Sequence, residues 1–124
     1  MSDYRDALVA AGANVISFAT FGDWQGKWVA LVTYLGNHGW VQGSFGSCDH
    51  CDAFQAEFGW SHLDDEGSLE YNKRLAAFGQ TYLDTLQTTE EIAADFDRYA
   101  DWDEESEQAA AWVRATAEHH GVKQ

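Results

Sequence analysis

The stretch Lys27-Trp28-Val29-Ala30-Leu31-Val32-Thr33-Tyr34-Leu35 decides the fold of this 124-residue chain. Alternate residues of a β-strand point to opposite faces of its sheet, and here both alternating sets are mainly apolar or aromatic. A strand of this kind is covered on both faces. We therefore expect it to lie at the centre of a sheet.

Two further strand-like runs flank this central strand, Val15–Phe21 before it and Trp40–Phe45 after it. Gly22-Asp23 ends the first run, and Gly36-Asn37-His38-Gly39 has the composition of a hairpin turn. Because connections this short join antiparallel neighbours, the three runs predict an antiparallel meander.

Helical patterns surround the meander. A short helix is expected over Asp3–Ala13 with Ser2 as its N-cap, and apolar spacing predicts helices over Asp52–Phe58 and Leu69–Leu86. Two S/T/D-x-x-E patterns then predict helix starts. These are Thr88-x-x-Glu91, with Ile92, Phe96 and Tyr99 turned inward, and Asp101-x-x-Glu104, whose helix ends at Gly121.

The sequence thus predicts an α+β fold in a single domain, residues 1–124. A short N-terminal helix and a three-stranded antiparallel meander occupy residues 1–46. Three to four helices in residues 47–124 are expected to pack on one face of the sheet.

Acidic residues dominate the charge of the chain, with 21 Asp and Glu against 7 Lys and Arg and a net charge of −14. This balance argues against direct binding of nucleic acid, which needs a basic face, and against adhesion to anionic membranes. A run of about 18 apolar residues, the length that spans a membrane, is not found in the sequence. The polar N-terminal residues have no secretory signature, so we expect a cytoplasmic protein.

The acidic residues concentrate between Asp84 and Glu107, where ten of them stand against Arg98 alone. One interpretation is a solvated helical surface, and the other is a negative face for a basic partner, with nucleic-acid mimicry as one version. A calcium-binding loop is rejected, because Ala100 stands where such a loop needs glycine. The residues predicted to bind a partner are Asp95, Asp97, Asp101, Trp102, Asp103, Glu104, Glu105 and Glu107.

The cysteines of the chain, Cys48 and Cys51, form a CxxC motif between the third strand and a helix start. Three interpretations remain open: a redox dithiol, half of a zinc site, and a purely structural turn. The predicted zinc ligands are Cys48, Cys51, His38 and His62, with His50 and the more distant pair His119 and His120 as other candidate histidines. Against the redox alternative, the sequence contains no proline, whereas thioredoxin-like active sites pack beside a cis-proline. We expect no cofactor, with zinc as the alternative.

The run from Phe45 to Phe54, with its aromatic-Gly-Ser-Cys-x-x-Cys-Asp motif, resembles small uncharacterised bacteriophage-encoded proteins. That group has no established activity, so the resemblance carries over no catalytic residue. It implies a phage origin, the host cytoplasm as the compartment, and a protein that binds and redirects or inhibits a host protein.

Motifs of nucleophile-elbow hydrolases, P-loop proteins, zinc proteases and dinucleotide-binding proteins do not occur in the sequence. We therefore expect a non-enzymatic binding protein that engages a basic host macromolecule through its acidic helical half, with an anti-defence role as one version. A zinc-stabilised domain or a thiol-disulfide oxidoreductase is the alternative. The sequence does not indicate the oligomeric state.

Overall fold

The computed structural model describes residues 3–46, 52–58 and 68–121 of the chain. The elements follow the order α1 (Tyr4–Ala10), β1 (Asn14–Gly22), β2 (Gly26–Tyr34), β3 (Asn37–Phe45), α2 (Ala53–Phe58), α3 (Leu69–Leu83), α4 (Thr89–Tyr99) and α5 (Glu104–His120). The strands form one antiparallel sheet in the order β1-β2-β3. The predicted α+β fold, with a short N-terminal helix, a meander and then helices, is confirmed.

Strand β2 is the central strand, as its two apolar faces predict. Trp28, Ala30 and Val32 are buried on one face and Val29 and Leu31 on the other. Because side chains alternate along a strand, a single helical layer covers only one of these two sets.

Helices accordingly cover both faces of the sheet, which differs from the expectation that they pack on one face. The first cluster, which we call the α1–α3 layer, joins the sheet to α1 and α3 through Tyr4, Leu8, Trp28, Ala30, Val32, Val41 and Leu83. The second, the α4–α5 layer, joins Val29, Leu31 and Trp40 to α4 and α5 through Ile92, Ala93, Phe96, Ala109, Ala110, Val113 and Ala117.

The hairpin between β2 and β3 turns earlier than its glycine and asparagine residues predict. Tyr34 pairs with Asn37, so the turn consists of Leu35 and Gly36, with φ of 52° and 82°. Two-residue hairpins favour positive φ at both central positions because that geometry matches the twist of the strands. Asn37 and His38, expected in the turn, therefore lie in β3.

The helix caps confirm some predicted starts and correct others. Thr88 and Glu91 form the predicted capping box of α4. Helix α1 is capped by Asp3 rather than Ser2, since the Asp3 side chain accepts from the Asp6 N–H at 3.0 Å. Helix α5 is capped by Asp103 rather than Asp101. At both corrected starts, the cap is the aspartate whose carboxylate reaches a free N–H group of the first turn.

The helix ends differ from the predicted ones in a similar way. Helix α5 ends at Gly121, which has a φ of 69°, as predicted. Helix α1 ends at Ala10 and α3 at Leu83, both about one turn early. Tyr99, expected to point inward, is 46% exposed because it lies at the last position of α4.

Candidate functional site

The predicted partner-binding residues lie on α4, on the turn that joins α4 to α5, and on the first turns of α5. The structure divides them into two groups. Three carboxylates are held by other parts of the protein, and the remaining four, of which three are exposed, lie near an exposed tryptophan in the sequence.

Asp95 is the first of the held carboxylates. Its Oδ2 accepts from Gln87 Nε2 at 2.7 Å and from Gln42 Nε2 at 3.2 Å, while its Oδ1 lies 3.5 Å from Arg98. Gln87 also pairs with Trp40 through two backbone hydrogen bonds of 2.8 and 2.9 Å. Asp95 therefore ties α4 to the outer edge of β3.

Asp97 is held by Arg114 of α5, whose two guanidinium nitrogens donate to the two carboxylate oxygens. These hydrogen bonds lower the pKa of Asp97 below its usual value and raise that of Arg114. The paired fork geometry fixes the two helices side by side. Asp97 therefore takes part in the packing of α4 against α5.

Asp103 combines a helix cap with an ion pair. It accepts from the Glu105 N–H at 3.2 Å and from the Ser106 hydroxyl at 2.8 Å, and it lies 3.5 Å from Lys27 Nζ. The hydrogen bond from Glu105 contributes most to lowering the pKa of Asp103 to about 2. Asp103 thereby joins the start of α5 to β2.

The second group surrounds Trp102, whose side chain is 83% exposed. Asp101, Glu104 and Glu107 are all exposed, and Glu105 is half-buried. Across the described ranges, no cationic side chain pairs with these four carboxylates, and Glu104 accepts only from Gln108 at 3.4 Å. We call Asp101, Trp102, Glu104 and Glu107 the α4–α5 corner.

The backbone explains why this tryptophan projects outward. The Trp102 N–H donates to the Tyr99 carbonyl at 3.0 Å, so the chain turns tightly between the helices. Tyr99 is half-exposed beside it, and Arg98 Cζ lies 6.0 Å from the Tyr99 ring centroid. The corner therefore presents a large aromatic side chain among carboxylates that are not neutralised within the described residues.

The proposed metal ligands Cys48, Cys51 and His62 lie outside the described residues. His38, the remaining ligand, is exposed on β3, where its Nδ1 lies 3.1 Å from Thr33 Oγ1. Within residues 3–46, 52–58 and 68–121, no group of three or more His, Cys, Asp or Glu is placed to hold a metal ion.

Asp52, the residue that follows the CxxC motif in the sequence, belongs to a buried polar site that no local pattern predicts. Asp52 accepts from the Tyr4 hydroxyl at 2.5 Å, from the Phe54 N–H at 2.9 Å and from the Gly46 N–H at 3.1 Å. Asp52 is only 6% exposed. Burial, with the hydrogen bond to Asp52, raises the pKa of Tyr4, and burial raises that of Tyr82.

Asp52 thus holds together the two ends of the segment that contains the cysteines. Gly46 precedes that segment and Asp52 follows it, and one hydrogen bond joins them. An aspartate directly before a helical run is an N-cap signal, so the cap was detectable from the sequence. Its partner Tyr4 was not, because 48 residues separate the two.

Comparison with models of protein families, with curated proteins and with solved structures finds no match to this chain. Across the residues that the structure describes, no helix has the length and apolar character needed to cross a membrane.

Proposed function

We propose that this protein is a non-enzymatic binding protein whose α4–α5 corner engages a basic surface of a host protein. The observation that carries the proposal is Trp102, which is 83% exposed beside Asp101 and Glu104. Exposing an indole ring to water is unfavourable, and tryptophan commonly anchors protein interfaces.

The carboxylates around Trp102 select the kind of partner. A Lys or Arg side chain that reaches the corner gains attraction from Asp101, Glu104 and Glu107 and a cation–π contact with the indole ring. The net charge of −14 adds long-range attraction that raises the rate of encounter with a basic surface. An acidic partner, including nucleic acid itself, is repelled by the same charges.

The held carboxylates play a different part in this proposal. Asp95, Asp97 and Asp103 form hydrogen bonds and ion pairs inside the protein, so a partner would have to break these contacts to use them. The proposed interface is therefore smaller than the acidic run in the sequence. The resemblance to phage-encoded proteins is what favours a host protein as the partner and its inhibition as the outcome.

Capture from a bacterial lysate tests the proposal. A variant with Asp101, Glu104 and Glu107 changed to Lys should lose the basic proteins that the wild-type protein captures. Asp103 is left intact, because its reversal would remove the α5 cap and the Lys27 ion pair. Trp102→Ala should weaken capture as well. Capture of the same proteins in equal amounts by the charge-reversed variant would contradict the proposal.

A further inference from the structure

A groove lies on the face of the sheet that the α1–α3 layer covers, opposite the face that carries the α4–α5 layer. Its volume is about 220 Å³, and it is lined by the half-buried rings of Phe18 and Phe45, with the fully buried Trp28 behind them. Tyr4 closes the inner side, where its ring stacks on Trp28 at a centroid distance of 4.9 Å. The groove has an aromatic interior that is open at one side.

The rim of the groove is acidic. Asp3 and Asp23 line it, and no Lys or Arg side chain does so among the described residues. Asp3 is already engaged as the cap of α1, whereas Asp23 is exposed and forms no hydrogen bond or ion pair with any described residue. An aromatic interior with a free carboxylate at its rim favours an organic cation over a neutral or anionic group.

Strand β1 forms both a wall of this groove and an open edge of the sheet. The backbone N–H and C=O groups of Trp40 bond to Gln87 and therefore point away from β2. These groups alternate in direction along each antiparallel strand. The pairing of β3 with β2 and of β2 with β1 then requires the N–H and C=O groups of Ser17, Ala19 and Phe21 to point toward β2. The N–H and C=O groups of Phe18, Thr20 and Gly22 therefore point away from the sheet. In the part of the chain that the structure describes, no backbone group bonds to them.

This edge lacks most of the features that usually block strand pairing. Natural edge strands carry charged residues, prolines or bulges that discourage a further strand. Strand β1 contains no charged residue and no proline, and its bulge lies between Val15 and Ser17, away from the groove. Phe18 and Thr20 thus contribute both outward-pointing backbone groups at the edge and side chains that line the groove.

We propose that β1 and this groove form a binding site for an extended peptide segment that carries a lysine or arginine. The peptide adds a fourth strand by pairing with the free backbone groups of β1. Its basic side chain enters the aromatic groove and reaches Asp23. The main-chain hydrogen bonds supply affinity and the groove supplies specificity. This site is separate from the α4–α5 corner and does not depend on the function proposed for it.

The test uses the capped peptide acetyl-Thr-Val-Lys-Val-Thr-amide, titrated to millimolar concentration while the amide signals of the protein are followed by NMR. The shifts should centre on Phe18, Thr20 and Gly22. Replacing lysine with norleucine, which keeps the chain and removes the charge, should weaken binding about tenfold. The lysine peptide with a methyl group on the backbone nitrogen of its lysine should also bind about tenfold more weakly, because that nitrogen can no longer donate a hydrogen bond to the edge of β1.

Two protein variants and one control variant separate the contribution of the strand edge from that of the groove. Asp23→Asn should weaken binding of the lysine peptide about threefold and leave the norleucine peptide unchanged, while Glu90→Gln, an exposed acid on α4, should change neither. Thr20→Pro should weaken the binding of both peptides, because it removes an N–H group that would bond to the added strand. The fold should tolerate this proline, because the Thr20 N–H points away from the ladder. Absence of shifts at β1 overturns the proposal. Equal affinity of the lysine and norleucine peptides, or of the methylated and unmethylated ones, overturns it as well.

Discussion

The two layers that cover the sheet are built from different side chains. In the α1–α3 layer, Trp28 lies between Tyr4 and Phe18, with ring centroids 4.9 and 5.8 Å away, and Tyr82 meets it edge-on at 5.0 Å. In the α4–α5 layer, α5 buries mostly small residues: Ser106, Ala109, Ala110, Val113 and Ala117. The first layer stacks large rings around Trp28, whereas in the second Trp40 and Phe96 pack together with the small residues that α5 buries.

The distribution of acidic residues follows this difference between the two layers. Helices that pack through alanine bury a narrow stripe and leave most of their surface to solvent. The outward surfaces of α4 and α5 carry the acidic run, with Trp102 at the turn between them. The α4–α5 layer therefore displays the proposed binding surface.

The largest expected loss of stability comes from removing Trp28, the central ring of the α1–α3 layer. Trp28→Ala should lower the free energy of unfolding by about 3–5 kcal/mol, because Trp28 is fully buried and the cavity left behind cannot close. Trp102→Ala, the same substitution at an exposed position, should change it by less than about 0.5 kcal/mol. Urea unfolding measures both, and similar losses for the two variants would show that Trp28 is not a buried centre of the α1–α3 layer.

A smaller loss is expected where α1 and α3 touch. A Cβ atom built at Gly79 would lie 2.1 Å from the Ala7 carbonyl oxygen, a backbone atom that cannot move aside easily. Gly79→Ala should therefore destabilise the protein by about 2–3 kcal/mol, although alanine is the better helix former by about 1 kcal/mol. Ala77→Gly, at an exposed position of the same helix, should lose only the helix propensity. A stabilising effect of Gly79→Ala in thermal unfolding would show that the two helices are not in close contact.

Removing a held carboxylate should lower the stability of the protein more than removing a free one. Asp103→Ala should cost about 1–2 kcal/mol at neutral pH through loss of the α5 cap, whereas Asp101→Ala should cost less than about 0.5 kcal/mol. The pKa of Asp103 is lowered to about 2 in the folded protein. Its contribution is therefore complete above the usual aspartate pKa of about 4 and is lost as the pH falls towards 2. Equal stability of Asp103→Ala and Asp101→Ala at neutral pH would contradict this division.

The smallest effect should be a gain at the β2–β3 turn. Leu35 is 81% exposed and has a φ of 52°, a conformation that asparagine adopts more easily than leucine. Leu35→Asn should raise the free energy of unfolding by about 0.5–1 kcal/mol without touching either layer. Thermal unfolding provides the measurement, and a lower midpoint for Leu35→Asn would show that the leucine makes a contact worth more than the strain.

The sequence predicts the elements better than it predicts their arrangement. The alternation in β2 and the Thr88 capping box are local signals, and both are confirmed in the structure. The turn at Leu35 and Gly36 was misplaced because Asn37 has the stronger turn propensity, although pairing of Tyr34 with Asn37 decides the register.

The same limit applies to the candidate site. The acidic run is visible in the sequence, but its division into held and free carboxylates is not. Asp97 depends on Arg114, and Asp103 on Lys27, which is 76 positions away in the chain. Contacts of this kind follow from how the helices pack on the sheet. No local pattern in the sequence specifies them.

The central claim is that the free carboxylates of the α4–α5 corner, and not the overall charge, bind the partner. Two variants with the same net charge test it most directly. One neutralises the corner through Asp101→Asn, Glu104→Gln and Glu107→Gln. The other neutralises Glu70, Glu90 and Glu118, all exposed and away from the corner, by changing them to Gln.

The measurement is the dissociation constant of each variant for the basic protein that the wild-type chain captures from a bacterial lysate. The corner variant should bind about tenfold more weakly than wild type, while the control should stay within about twofold. Equal weakening of the two variants would show that net charge alone drives binding, and unchanged affinity of the corner variant would contradict the account.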